Sequence, residues 1–256
     1  MKQIISILII ASLFAACSKD GGAEYSPSVG RGGSMARFTI VDNVLYTVSN
    51  KDLKVIGITD AADPKYYPER DVPVGFDIET IFPMDGSLFI GSRSSLYIYD
   101  ISAPYFPLLL SQVGHLRSCD PVVAQGNYAY VTLNTNSVGC GGTSNNVLLI
   151  YNISDLKNPI LEKTVQMFGP QGLGIDGDIL FVCDIGLKVF DISDPLNIRQ
   201  ISDLAGIGDV DVRAAYDVIP VDGLLILVAK EGLFQFDYSG SKLEFLSKIT
   251  IKQQTP

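Results

Sequence analysis

Leu187-Lys-Val-Phe-Asp-Ile-Ser-Asp-Pro195 is the clearest copy of a short pattern that recurs along this chain of 256 residues. Its apolar residues occupy both alternating sets of positions, with Leu187 and Val189 on one set and Phe190 and Ile192 on the other. A strand with apolar side chains on both faces must be covered on both faces. The pattern therefore predicts a buried β-strand that ends in a turn at Ser-Asp-Pro.

The pattern occurs at nearly regular intervals. Its copies begin at Leu53, Leu96, Leu148, Leu187 and Leu233, so their spacings, by subtraction, are 43, 52, 39 and 46 residues. A second pattern, a dipeptide typical of tight hairpins, precedes each copy: Asp42-Asn43, Asp85-Gly86, Gln125-Gly126, Asp176-Gly177 and Asp222-Gly223. Two patterns in phase predict repeats of one supersecondary unit.

Each unit is expected to contain four strands, which we call A to D. In the second unit they are predicted at Glu79–Met84, Ser87–Ser92, Leu96–Ile101 and Pro107–Val113. Four strands in about 45 residues is a usual blade of a β-propeller, which covers both faces of a blade by packing it between two neighbours. We therefore predict an all-β fold, a five-bladed β-propeller of four-stranded antiparallel blades. A β-sandwich or a β-solenoid is the alternative.

The motif also resembles a known family. Leu-x-Val-x-Asp-Ile-Ser-Asp-Pro-x-x-Pro is similar to the repeat of the LVIVD-repeat family of extracellular β-propellers, and the whole arrangement resembles uncharacterised lipoproteins of Bacteroidota. The resemblance covers Gly33 to Ile251, and the fifth copy departs most because Ser239-Gly240-Ser241 replaces Ser-Asp-Pro. It implies a fold but no common reaction, because fold does not determine function.

The N-terminus has the features of an export signal. A short positive segment is followed by the apolar run Ile4 to Ala16, which as a helix would span roughly 20 Å of a hydrocarbon core about 30 Å thick. The run ends in Ala15-Ala16-Cys17, which resembles a bacterial lipobox. We expect cleavage before Cys17, lipid attachment to it, and location at the cell envelope, in the outer membrane on its periplasmic or surface face. An ordinary signal peptide is the alternative.

These features divide the chain. Residues 1–16 form the signal peptide, and residues 17–34, rich in Gly and Ser, form a flexible tether. Residues 35–251 form the propeller, with a tail at 252–256. The predicted blades cover about 35–75, 76–116, 117–168, 169–213 and 214–251.

Composition excludes several functions. The chain has 19 basic and 28 acidic residues, a net charge of −9, which argues against nucleic-acid binding because phosphates attract cations. A single histidine, His115, makes His-based triads and multi-His metal sites improbable. We expect a surface-loop histidine, no metal, no cofactor and no assigned catalytic residue.

A candidate binding mouth follows from aligning the units on the dipeptide. Arg37, Thr80, Asp120, Gln171 and Asp217 lie five positions before it, where the innermost strand A begins and the central channel opens. With Glu79 one step earlier in its unit, the candidates are Arg37, Glu79, Asp120, Gln171 and Asp217. Propellers often bind ligands at such a mouth. The alternative is that channel mouths are polar because water fills them.

The sequence therefore favours a lipid-anchored binding module whose partner is an envelope protein or a glycan. One alternative is a glycan-active enzyme that uses carboxylates such as Glu79, Asp120 and Asp217, which would need separations of about 5–9 Å. Another is a structural subunit of an envelope complex.

Export also permits disulfides. Lipidation of Cys17 leaves Cys119, Cys140 and Cys183. Cys119 and Cys140 are expected on the same face of the third blade, so we predict a bond between them, with Cys183 reduced and buried. The bond would contribute about 3 kcal/mol. Three buried free cysteines are the alternative.

Overall fold

The structure is a computed structural model that describes residues 33–115, 121–136, 145–207, 209–240 and 242–251. Within these residues the chain is almost entirely β-structure, and consecutive strands pair in antiparallel order to form five blades. No helix in this part of the chain is long and apolar enough to cross a membrane. The arrangement confirms the predicted β-propeller.

The strands follow the predicted order from the innermost strand A to the outermost strand D. The first blade contains β1 Phe38–Val41, β2 Val44–Val48, β3 Asp52–Gly57, β4 Lys65–Tyr66 and β5 Val72–Pro73. The second contains β6 Ile78–Met84, β7 Ser87–Ser92, β8 Ser95–Asp100 and β9 Leu108–Gly114. The third contains β10 Val122–Gln125, β11 Tyr128–Leu133, β12 Val147–Asn152 and β13 Ile160–Gln166. The fourth contains β14 Pro170–Asp176, β15 Ile179–Asp184, β16 Leu187–Asp191 and β17 Arg199–Leu204. A hairpin of β18 Gly206–Ile207 and β19 Val210–Asp211 precedes the fifth, which contains β20 Ala215–Val221, β21 Leu224–Ala229, β22 Gly232–Asp237 and β23 Glu244–Thr250.

The first blade departs from the four-strand pattern at its outer edge. Its strand D is split into β4 and β5, which both pair with β3 and are separated by a short 3-10 turn at Pro68–Arg70. Proline has no backbone N–H to donate to a ladder, so Pro68 interrupts pairing. An outermost strand tolerates this interruption because no further strand depends on it.

Hydrogen bonds join the two segments that carry the repeated sequence patterns. The Asp85-Gly86 turn has positive φ at both residues, 45° and 72°, as a tight hairpin requires. Its Gly86 carbonyl accepts a hydrogen bond from the Ile101 N–H at 2.9 Å. The preceding Asp100 accepts from the Ser102 N–H at 2.7 Å and from its hydroxyl at 2.5 Å. The Asp-Ile-Ser motif therefore closes strand C and ties it to the A–B turn.

The strands of the middle blades are buried more completely than those of the first and fifth blades. Every residue of β7 is buried, whereas β2 and β21 alternate between buried and half-buried residues. Hydrophobic clusters join the first blade to the second, the second to the third, the third to the fourth and the fourth to the fifth. Within the described residues, no such cluster joins the fifth blade to the first. We call the half-buried faces of these two blades the seam faces.

Candidate functional site

Antiparallel pairing gives the propeller two distinct faces. One face carries the beginnings of the five innermost strands together with the B–C turns, and we call it the start face. The opposite face carries the A–B turns and the C–D loops, and we call it the turn face. The four described candidates for the binding mouth, Arg37, Glu79, Gln171 and Asp217, lie on the start face.

The candidates other than Asp217 have separate local roles. Arg37 Nη2 donates to the Asn50 side-chain oxygen and to the Ile78 carbonyl, both at 3.0 Å, and so links the first and second blades. Glu79 forms an ion pair with Arg93 at 2.8 Å. The Gln171 carbonyl accepts a hydrogen bond from the Thr132 hydroxyl at 2.7 Å, which links the fourth blade to the third. Asp120 lies outside the described residues, as does the predicted lipid site Cys17.

Asp217 is buried beneath the first described residues of the chain. Its Oδ1 accepts hydrogen bonds from the Ser34 hydroxyl at 3.2 Å and from the Val218 N–H at 3.0 Å. The Ser34 hydroxyl oxygen in turn accepts from the Leu173 N–H at 2.8 Å. Residues 33–35 thus cover the carboxylate and connect the start of the fold to the fourth and fifth blades.

The surroundings of Asp217 leave no space for a ligand. A Cβ added at Gly33 would lie 2.0 Å from one carboxylate oxygen, and a Cβ at Gly172 would lie 2.3 Å from the other. Burial raises the pKa of Asp217 to about 6, although hydrogen bonds from Val218, Ser34 and Met35 oppose the rise. A raised carboxyl pKa often marks a catalytic group. Here its cause is packing under the chain's own residues.

A second buried carboxylate, Asp184, organises the start face and was not singled out from the sequence. It accepts hydrogen bonds from the Phe168 N–H at 3.0 Å and the Gly169 N–H at 2.6 Å, and Lys188 Nζ lies 3.5 Å away. The Phe168 carbonyl accepts from the Asn146 side chain at 2.6 Å. The signal in the sequence was an aspartate directly after the apolar strand Ile179–Cys183.

Several large apolar side chains project from the start face. Phe76 is 71% exposed, Phe168 is 68% exposed and Ile185 is 62% exposed. Met35 and Tyr216 are also exposed. We call this group the start-face apolar residues: Met35, Phe76, Phe168, Ile185 and Tyr216. Lysine side chains lie over two of the rings, Lys51 at 5.4 Å from Phe76 and Lys188 at 5.1 Å from Phe168.

Ile185 is held in an unfavourable backbone conformation. Its φ is 52°, in the left-handed region, where a β-branched residue is a genuine outlier. The B–C turn is fixed around it by a hydrogen bond from the Asp184 N–H to the Gly186 carbonyl at 3.0 Å. Such strain costs of the order of 1–3 kcal/mol and persists where the surrounding structure imposes it. The turn thus holds an apolar side chain outward.

The described residues contain one buried free cysteine and no group of side chains that could hold a metal ion. Cys183 is free and fully buried, as predicted, and burial together with the charge of Asp217 raises the pKa of its thiol well above the ordinary value. Cys119 and Cys140 lie outside the described residues, so their bond stays a prediction. In the part of the chain that the structure describes, no group of three His, Cys, Asp or Glu side chains could hold a metal ion.

Comparisons with known proteins agree on the fold. The model of the LVIVD repeat matches residues 117–138, a range that includes β10 and β11. No curated protein matches the chain. Among solved structures, AztD from Citrobacter koseri is similar, with a TM-score of 0.57 and 13% sequence identity. The matched region covers 86% of this chain and 61% of the AztD chain. A functionally unknown protein from Desulfotomaculum acetoxidans has a TM-score of 0.62 and 11% identity, covering 88% of this chain and 70% of its own. At such identities the likeness shows the fold alone.

Proposed function

We propose that this LVIVD-repeat β-propeller is a lipid-anchored module of the cell envelope that binds a protein partner through its start face. The fold is compatible with a binding module. The observation that carries the proposal is the group of start-face apolar residues, above all Phe76, Phe168 and Ile185, whose side chains are more than half exposed. A contiguous exposed apolar patch is typical of an interaction surface, and we propose that these side chains form one.

The anchoring of Phe168 and Ile185 supports this proposal. Asp184 binds the backbone of Phe168 and also begins the turn that carries Ile185. Asn146 fixes the Phe168 carbonyl. A backbone that is already fixed loses less conformational entropy when a partner covers the side chain it carries, and aromatic anchors dominate many interfaces. The buried polar groups therefore prepare an apolar surface for a partner.

The contacts of the carboxylates give less support to a glycan-active enzyme. Such an enzyme would use two carboxyl groups on either side of a bound sugar. Of the candidates, Glu79 is paired with Arg93 and Asp217 is covered by Ser34. Sugar hydroxyls need hydrogen-bonding partners, which the side chains of Phe76, Phe168 and Ile185 do not supply. A permanent structural subunit would use the same surface, and copurification at fixed stoichiometry would distinguish it from a transient partner.

The test compares capture by variants. Tagged full-length protein is crosslinked in cells, purified from envelope extracts and compared with Phe168→Asp and with Ile185→Asp. Phe106 is a matched control, because its side chain is 65% exposed on the turn face. We expect both start-face variants to lose specific partners and Phe106→Asp to retain them, while melting curves show that all three variants remain folded. Equal capture by all variants would refute the proposed surface.

The anchor is tested separately. Cells grown with a palmitate analogue should label the wild-type protein and not Cys17→Ala. Equal labelling of both would show that Cys17 does not carry the lipid, without bearing on the start face.

A further inference from the structure

We propose that the central channel is a second binding site, entered from the turn face, for a small apolar ligand that carries a positive charge at one end. This site is separate from the start face, and none of the start-face apolar residues lines it. The proposal stands on a cavity, on the apolar chemistry of its walls and on the charge around its entrance.

The cavity lies among the innermost strands of four blades. It has a volume of about 270 Å³ and is lined by segments of β6, β10, β14 and β20. Ser34 lies at one end, where it is hydrogen-bonded to Asp217. Asp85 and Gln125, exposed residues at the A–B turns, lie at the other. Because residues 33–35 cover Asp217 at the start face, a ligand would enter from the turn face.

The walls of the cavity are apolar. Phe82, Met84, Ile175 and Ile219 line it and are only half-buried, so each keeps some apolar surface exposed although Phe82, Met84 and Ile175 also pack against the core between blades. Water needs two to four polar partners to bind well in a cavity, so an apolar molecule is the better occupant beside these side chains. An apolar ligand would remove these side chains from water.

The walls are also fixed by close backbone packing. Gly174 lines the cavity, and a Cβ there would lie 2.7 Å from the Val218 carbonyl oxygen and 2.4 Å from Pro220 Cδ. The glycine thus allows β14 and β20 to approach each other closely. Gln125 Nε2 donates to the Gly177 carbonyl at 2.8 Å and links two A–B turns at the entrance. A preformed cavity binds a ligand without the cost of reorganisation.

The entrance is acidic. The A–B turns contribute Asp85, Asp176 and Asp222, and the hydroxyl of Tyr238 donates to Asp176. The C–D motifs of the same face carry Asp100, Asp191 and Asp237, of which Asp191 is paired with Arg199 at 2.7 Å. Hydrogen bonds from the serine two residues later lower the pKa of each of these three carboxyls, so they are ionised at neutral pH. Carboxylates around an apolar cleft attract cations and repel anions.

The volume limits the size of the ligand. An engineered apolar cavity of about 150 Å³ holds benzene, whereas pockets for drug-sized molecules begin near 300 Å³. The channel lies between these values. A primary or quaternary amine with a short alkyl or aromatic body therefore has the chemistry that the site would take.

Three probes with the same six-carbon chain and different head-group charges separate the contribution of the apolar body to binding from that of the charge. Hexylammonium, hexan-1-ol and hexanoate are titrated into the full-length chain at neutral pH and low salt, with binding followed by calorimetry. We expect hexylammonium to bind more than tenfold tighter than hexanoate, with hexan-1-ol between them. Absence of binding by all three would overturn the site. Equal binding of all three would overturn the assigned positive charge.

Variants locate the binding. Asp85→Asn should weaken hexylammonium about two- to fivefold, as expected for loss of one exposed charge contact, and leave hexan-1-ol unchanged. Asp42 has the same turn position and a similar positive φ, 54° against 45°, but its blade contributes no residue to the cavity. Asp42→Asn is therefore the matched control and should bind like wild type.

Ile219→Phe should fill the cavity and abolish binding of both ligands. If Ile219→Phe binds as wild type does while remaining folded, the ligand lies elsewhere and the proposal is wrong. If this variant is unfolded, Met84→Phe serves the same purpose from the opposite wall.

Discussion

The Ser34 hydroxyl donates a hydrogen bond to the Asp217 carboxylate across 183 residues of sequence. It therefore ties the beginning of the described chain to the innermost strand of the last blade. Within the described residues no hydrophobic cluster joins the first and fifth blades, so this polar contact is a connection between the two ends of the repeat array. Its ionisable partner makes the connection sensitive to pH.

The stability contributed by Asp217 should fall as pH rises. The pKa of Asp217 is about 6 in the folded protein and about 4 in an unfolded chain, so folding favours its protonated form. The contribution is complete below pH 4 and is lost as pH rises through 6, by about 3 kcal/mol. Asp217→Asn should lack this change. Urea denaturation of both proteins at pH 4, 5, 6 and 7 measures it, and a constant difference between them would contradict it.

The close packing of the fourth and fifth blades should depend on Gly174. Gly174→Ala would place a Cβ 2.7 Å from the Val218 carbonyl oxygen, so the strands must separate. We expect a loss of about 1–3 kcal/mol, as for overpacked cores. Gly240→Ala is the control, because its Cβ would meet nothing within 4 Å. Denaturation midpoints compare the two, and equal midpoints would show that the strands adjust without cost.

Sequence periodicity predicted most of the fold because the strands and turns of each blade are determined by residues close together in the sequence. A strand C with apolar residues on both faces and an Asp-Gly turn are each encoded within a few residues. The hydrogen bond from Ile101 to Gly86 explains why the two patterns stay in phase. The split outer strand of the first blade was missed because edge strands carry a weak apolar pattern. Pro68 was the local signal for it.

The candidate site was predicted less well because it depends on packing between blades. Alignment of the units placed Asp217 at the start of strand A, in agreement with the structure. It could not show that residues 33–35 would cover its carboxylate. Nor could it reveal that Asp184 would be buried, since an aspartate after a strand equally suits an exposed turn. Contacts between distant residues have no period along the chain.

The conformation of Ile185 should be relieved by glycine. Ile185→Gly has no Cβ penalty at a φ of 52°, so the folded state should gain about 1 kcal/mol. The same change removes an exposed apolar group and should weaken capture of the partner. A more stable variant with poorer binding would therefore separate the two effects. A variant that is less stable than wild type would show that the side chain of Ile185 stabilises the turn.

The same truncation, isoleucine to alanine, should cost more folding stability at a fully buried position than at a half-buried one. Ile150 in β12 is completely buried between blades, whereas Ile226 in β21 points to the seam face and is half-buried. Ile150→Ala should cost about 2–5 kcal/mol, because it leaves a cavity in a packed core. Ile226→Ala leaves no closed cavity and should cost about 1 kcal/mol, from lost apolar burial alone. Urea denaturation of both variants tests this order. Equal losses would show that Ile226 is as well covered in solution as Ile150.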